Sequence, residues 1–332
     1  MLEFFSNAFA EPLSGAVVLV TLGVLFVNGW TDAPNAIAAG VSTGAMTMRQ
    51  GVVLATVMNI LGGAAVMNLG QKVAETVYFL GDFTPDRKGA SALAAALSAV
   101  ILWAVLAWRF GIPTSESHGL MAGLMGAAVA QGAGGISTLA FYRVLIGLVV
   151  SVGVGFLLGW LFARWFGELK FSPALWRWGQ RGSAALMAFA HGLQDMPKFA
   201  SVLLLAASFW GEEQTTLPLW LTVLCSLFMG LGTLLGGGRI IRTVGSKMVH
   251  IDQKEGFAAD LAGTLALLLS TLQGLPVSTT HAKTCALMGA AVARDDGGLD
   301  LQVAGSMFLA WGLTFPVCGL LAFILTKFFL FF

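Results

Sequence analysis

Charge is what this chain has least of. Of 332 residues, 18 are Lys or Arg and 17 are Asp or Glu, or 11% in all, while 57% are hydrophobic. Soluble domains carry about 25% charged residues. With a mean hydropathy of +0.83, the chain cannot cover itself with a hydrated surface. That excludes a soluble globular protein and places it in a bilayer. A formal net charge of +1 gives no electrostatic footprint for nucleic acid. Cysteine is scarce as well. Cys225, Cys285 and Cys318 lie far apart in apolar segments, so neither a disulfide framework nor a zinc site is expected. The opening MLEFFSNAFAEPLSG has two glutamates and no Lys or Arg. Without the basic start of a signal peptide, residue 13 onward is expected to be mature membrane protein.

Glycine is plentiful, with 42 residues, as suits closely approaching transmembrane helices. A spanning helix needs roughly 20 apolar residues. Candidate spans are 13–30, 51–70, 90–108, 138–163, 183–210, 217–236, 256–273 and 301–326. Two pieces, 119–131 and 282–293, are too short to span and read as half-helices of re-entrant hairpins. Arg164, Lys170, Arg177 and Arg181 mark a cytoplasmic linker over 164–182, and Arg239, Arg242, Lys247 and Lys254 mark a second cytoplasmic connection. The loop WGEEQTT at 210–216 has no basic residue and should face out. Both termini then lie outside, as does 71–89, although Lys72, Arg87 and Lys88 there run against the rule.

The chain repeats itself. GIPTSESHGLMAGLMGAAVA from Gly111 and GLPVSTTHAKTCALMGAAVA from Gly274 agree at 11 of 20 positions, 163 residues apart. The same offset aligns GWTDAPN (29–35) with GLQDMPK (192–198). Two polar islands at one offset indicate duplication. The expected architecture is an all-α polytopic membrane protein of two inverted-topology repeats, each with a broken-helix re-entrant hairpin. The repeats would be 1–163, with a hairpin at about 90–131, and 183–332, with a hairpin at about 256–293. A parallel duplication would follow instead if 90–108 and 119–131 together crossed once.

Carboxylates are costly at the bilayer centre, yet Asp32, Asp195 and Glu116 sit in apolar sequence. Lys198 is three residues after Asp195 and within reach of it on a helix. Gly29 with Pro34, and Gly192 with Pro197, predict kinks or unwinding that free backbone carbonyls. Those carbonyls, with the Asp and Asn35 oxygens, are hard ligands for a small cation such as Na⁺ at Asp32 and Asp195. In PTSESH and PVSTTH a proline ends one helical piece and hydroxyls open the next, where free amides and the helix dipole favour an anion. Ordinary N-capping needs one hydroxyl; Ser115 with Ser117, and Ser278 with Thr279 and Thr280, offer more, each with a histidine (His118, His281). His118, His281 and His191 are candidates for the surroundings of the site, whereas His250 lies in a basic loop. Three acids outnumber Lys198, so an anion would be repelled unless Na⁺ or H⁺ came with it.

These four motifs, in order and covering both halves, resemble the inorganic phosphate transporter (PiT) family. The resemblance implies inverted repeats with two re-entrant hairpins and secondary active import of inorganic phosphate by alternating access. It implies Asp32, Asn35, Asp195 and Lys198 at the ion and substrate centre. Ser115, Ser117, Ser278, Thr279 and Thr280 would hold the anion. Thr31 and Gln194 stand where the family has Asn, and Glu116 stands where it has a small hydroxyl residue. Those changes leave Na⁺ and H⁺ both open as coupling ion, with Thr31, Gln194 and Glu116 among the coupling positions. Glu116 suggests a proton carrier. They also leave a sulfate permease of the same family open. No cofactor is expected beyond the coupling ion, and no enzyme activity. The expected setting is the cell (inner) membrane, with a homodimer allowed. An anion channel and an intramembrane Ser–His–Asp hydrolase are the rival classes.

Overall fold

The computed structural model describes residues 1–132, 135–209, 215–294 and 298–331. Glu212 and Glu213, which carry the outward loop, lie outside the described residues. Every described element of length is a helix: α1 Pro12–Thr31, α2 Met48–Ala64, α3 Arg87–Arg109, α4 Glu116–Gln131, α5 Thr138–Gly167, α6 Pro173–Ser208, α7 Leu219–Leu235, α8 Gln253–Leu272, α9 Thr279–Val292 and α10 Leu301–Phe331. Their starts are written in the sequence. Thr47 with Gln50, and Asp252 with Glu255, form capping boxes on α2 and α8. Asp86, Ser137 and Ser172 accept from first-turn amides of α3, α5 and α6.

Two boundaries differ from the sequence expectation. The second span stops at Ala64, followed by short helices Val66–Leu69 and Gln71–Tyr78. The linker expected over 164–182 shrinks to 168–172, because Ser172 and Pro173 start α6 early. Arg177 and Arg181 therefore ride on the first turns of α6, where Arg181 lies 4.7 Å over the Trp178 ring and donates to the Ala45 carbonyl at 2.6 Å. At 36 residues, α6 is about 54 Å long. It outruns a bilayer core of about 30 Å, so its basic end projects beyond the lipid.

The duplication is visible in the packing. Against a 163-residue shift, α3, α4 and α5 correspond to α8, α9 and α10. Each hairpin helix packs on the last helix of the other repeat, α4 on α10 and α9 on α5, while α1 packs on α7 and α6 on α2. The close approaches repeat pair by pair. A Cβ on Gly62 would strike the Phe189 carbonyl, and one on Gly232 the Phe26 carbonyl. Gly126 meets Gly319 in the same way that Gly289 meets Phe156. Only glycine lets the helix backbones come this near. The outermost helices α5 and α10 are each only 28% buried across their apolar windows, which makes them the lipid-facing walls.

Both hairpins enter and leave on one side. At the base of the first, Ser137 N donates to Leu80 O and Gln131 Nε2 to Asp82 O. At the base of the second, His250 N donates to Gly298 O and Asp300 N to Met248 O. The tip of the first, where Arg109 O accepts from Arg239, touches the segment that leads into the base of the second. The tip of the second, where Gly274 O accepts from Thr76, touches the segment that leads into the base of the first. The hairpins therefore run in opposite directions. The two repeats are thereby inverted with respect to one another.

The two proline motifs diverge. After α1 the chain tightens into a 3-10 turn over Ala33–Ile37 around Pro34, as the sequence expectation of unwinding had it. The α6 helix instead runs unbroken through Pro197. Lys198 reaches back one turn to Asp195 at 2.7 Å and staples that turn; the matching Asn35 is too short to do so.

Candidate functional site

Asp32, at the end of α1, and Asp195, in mid-α6, are buried and lie together in one polar cluster. The Thr279 hydroxyl stands between them, 3.3 Å from Asp32 Oδ2 and 3.1 Å from Asp195 Oδ2. Thr280 Oγ1 contacts Asp32 Oδ1 and lies 3.0 Å from the Thr114 carbonyl. Asp195 also accepts from Ser117 Oγ at 3.2 Å, Asn28 Nδ2 at 3.2 Å and Lys198 Nζ. The hydroxyl contacts cross the repeats: Ser117 of the first reaches the acid of the second, and Thr280 of the second reaches the acid of the first.

Lys198 donates to Asp195 Oδ1, to Ser117 Oγ at 2.9 Å and to Val277 O at 2.6 Å. All three ammonium protons thus have acceptors. His191 Nδ1 donates to Asn59 Oδ1 at 2.7 Å, the direction fixed because an amide oxygen only accepts. Its Nε2 then faces Asp195 Oδ2 at 3.5 Å and Asp32 Oδ2 at 3.9 Å. One ligand atom from each of Asp32, His191 and Asp195 falls within 4.8 Å of the others, a donor set of two oxygens and a nitrogen that fits a small cation.

Glu116 opens α4 beside this centre. Its Oε1 lies 2.6 Å from Thr31 Oγ1, which is itself 2.7 Å from the Val27 carbonyl; Glu116 Oε2 is buried with no hydrogen-bond partner among the described residues. Asp32, Asp195 and Glu116 are gathered around Lys198 here, so the cluster has an excess of acidic groups that a bound anion would meet.

The hairpin tips supply the opposite character. Ser115 and Ser278 act as N-caps, accepting from His118 N at 3.2 Å and His281 N at 3.1 Å. Ser117, Thr279 and Thr280 remain on the first turns of α4 and α9 and point at the acids. The starts of the two helices, with their dipoles, thereby converge on one place from opposite repeats.

Several expected residues sit elsewhere. Gln194 turns from the acids: its Nε2 donates to Leu275 O at 2.7 Å, and its Oε1 accepts from Thr271. Asn35 reaches Thr284 at 3.4 Å. His118 and His281 pack ring to ring with centroids 4.6 Å apart, and His281 lies against Trp311. No ring nitrogen of either has a hydrogen-bond partner among the described residues. Among the described residues they make no Ser–His–Asp chain. Asn28 and Asn59 escaped the sequence reading because each is a single amide in an apolar helix. The shift of 163 that maps Asn28 onto His191 was the signal that could have found the first.

The Phosphate transporter family model matches residues 28–174 and again 170–322 of the chain. A probable low-affinity inorganic phosphate transporter of Rhizobium meliloti (strain 1021) is 35% identical over 328 residues, covering 94% of this chain and 95% of that one. One of Bacillus subtilis (strain 168) is 31% identical, covering 92% and 93%. Among solved structures, one described as the sodium-dependent phosphate transporter superposes with a TM-score of 0.84 at 20% identity, covering 95% of this chain and 98% of that one.

Proposed function

The chain belongs to the phosphate transporter family, and from that premise we propose how it carries phosphate across a membrane. It is a multi-pass membrane protein and a secondary transporter of inorganic phosphate, not an enzyme. The observation that carries the mechanism is the shared cluster: two acids from inverted repeats, bridged by hairpin-tip hydroxyls. The anion is held by Ser117, Thr279, Thr280 and the first-turn amides of α4 and α9 left free beside the Ser115 and Ser278 caps, with Lys198 as the fixed counter-charge. Asp32, Asp195 and Glu116 carry the coupling cation, which offsets the repulsion an anion would otherwise meet. Movement of one repeat relative to the other gives alternating access.

Hydrogen counting bears on the cation. Thr280 Oγ1 has one proton but faces both Asp32 Oδ1 and the Thr114 carbonyl. Thr31 Oγ1 likewise faces both Glu116 and the Val27 carbonyl. A proton on Asp32 and one on Glu116 would give each contact of these two hydroxyls a donor. This favours H⁺ coupling. The sodium reading rests on the Asp32–His191–Asp195 donor set and on the structural neighbour's sodium dependence.

The basic segments 164–181 and 237–255 meet where Lys254 lies 5.6 Å over the Trp176 ring, with Arg294 paired to Glu255 at 3.1 Å, which supports assigning that face to the cytoplasm and both termini to the outside of the cell membrane. The test is uptake of labelled phosphate and sulfate into proteoliposomes under imposed Na⁺ or H⁺ gradients. Saturable phosphate uptake driven by one gradient is expected. Unsaturable conductance would make the protein a channel, and preference for sulfate would make it a sulfate permease.

A further inference from the structure

The second repeat holds a polar cluster that the first lacks. Lys283 on α9 and Asp260 on α8 form an ion pair with both side chains fully buried. Asp260 Oδ2 also accepts from Ser183 Oγ of α6 at 3.3 Å. The positions that match them in the first repeat are Leu97 and Leu120. Burying an ion pair is costly, and apolar residues of similar volume commonly replace one without loss of stability. The first hairpin folds around leucines at these places, so the fold itself does not call for the charges.

The pair also stands in line. Thr280, Lys283 and Thr284 share one face of α9. Thr280 touches Asp32 of the centre, and Thr284 accepts from Asn35. Beyond Asp260 comes Ser183. One turn along α6 is Gln180, whose Oε1 accepts from Thr43 Oγ1 at 2.7 Å, and Thr43 O accepts from Gln253. Thr43 and Gln253 are half-buried at the basic face. Two buried polar atoms along this line, Asn35 Oδ1 and Gln180 Nε2, have no hydrogen-bond partner among the described residues. A file of polar groups thus leads from the acid centre to the basic face through an otherwise apolar interior.

We propose that Lys283, Asp260 and Ser183 form a second anion site, a way station that receives phosphate from the centre on its passage to or from the basic face. This rests on the phosphate-transport reading above. An arriving anion takes the place of Asp260 on the Lys283 ammonium, and the Ser183 hydroxyl turns from Asp260 to the anion. When the anion leaves, Asp260 returns, so the buried ammonium keeps a counter-charge throughout and the route closes behind the anion. The leucines of the first hairpin offer no equivalent stop toward the opposite face.

The test compares the two faces in proteoliposomes of known orientation, with inorganic phosphate as the probe. In Asp260→Asn/Lys283→Met, phosphate KM at the face opposite the basic one should stay within about twofold, while affinity at the basic face and maximal flux each fall about tenfold. A purely structural ion pair predicts the reverse: removing both charges together restores wild-type flux and leaves the two faces unchanged, which overturns the proposal. Should that double variant fail to assemble, Ser183→Ala removes only a hydroxyl. It should weaken phosphate at the basic face about threefold and leave the other face alone; no change at either face rejects the way station. Absence of phosphate uptake by the wild type would sink the transport reading itself, an outcome separate from any variant result.

Discussion

Asp32 and Asp195, 163 residues apart in the chain and in opposite repeats, accept from a single hydroxyl, that of Thr279, at 3.3 and 3.1 Å. Its single proton is shared between the two carboxylates. In the proposed mechanism a proton or a metal cation joins them, which would tie the charge state of the acids to the position of the second hairpin tip.

Asp32→Asn and Asp195→Asn should each lower phosphate uptake by about a hundredfold or more, because each removes a charge that the coupling cation offsets. Their stabilities should differ. Asp195→Asn strips Lys198 of its buried counter-charge and should cost roughly 3–5 kcal/mol; Asp32→Asn has no lysine to strand. Uptake and thermal melting in detergent measure the two effects. Wild-type uptake in both variants would remove the acids from the mechanism.

Glu116→Gln should abolish the response of uptake to an H⁺ gradient while phosphate still binds, since Gln keeps the contact to Thr31 but cannot carry a proton. Flux against imposed pH difference, alongside equilibrium phosphate binding, separates the two. A coupling ratio identical to wild type would exclude Glu116 as the carrier.

Gly62→Ala and Gly232→Ala should lower the melting temperature to a similar extent, by about 1–3 kcal/mol of overpacking. Each new Cβ strikes the carbonyl of a matched phenylalanine, Phe189 or Phe26. Strongly unequal losses would contradict the internal symmetry.

Pro85→Cys and His250→Cys, both at exposed positions near the bases of the two hairpins, should label with a membrane-impermeant maleimide from opposite sides of sealed vesicles. The native Cys225, Cys285 and Cys318 are all buried, so background labelling should be low. Reaction from one side only would turn the inverted repeat into a parallel one.

The duplication was legible because its two copies still share residues at a constant shift. The Asp195–Lys198 pair was legible because three residues on a helix bring side chains together. Asp260 and Lys283 were not, being 23 residues apart on two arms that meet only when the hairpin closes. Gln194 and Asn35 read as neighbours of the acids, yet helix rotation turns Gln194 to Thr271 and Leu275, and the 3-10 turn carries Asn35 to Thr284.

By itself, the sequence determined the solvent and the repeat and pointed to the chemistry: scarce charge requires lipid, a fixed offset requires two copies, and acids beside tip hydroxyls are the ground for proposing a cation alongside an anion. Only the tertiary structure decided which of those groups meet. Pairing across the repeats, as between Thr280 and Asp32, depends on the antiparallel docking of helices whose mutual rotation is set by glycine contacts and side-chain packing, and no local pattern in the chain encodes that rotation.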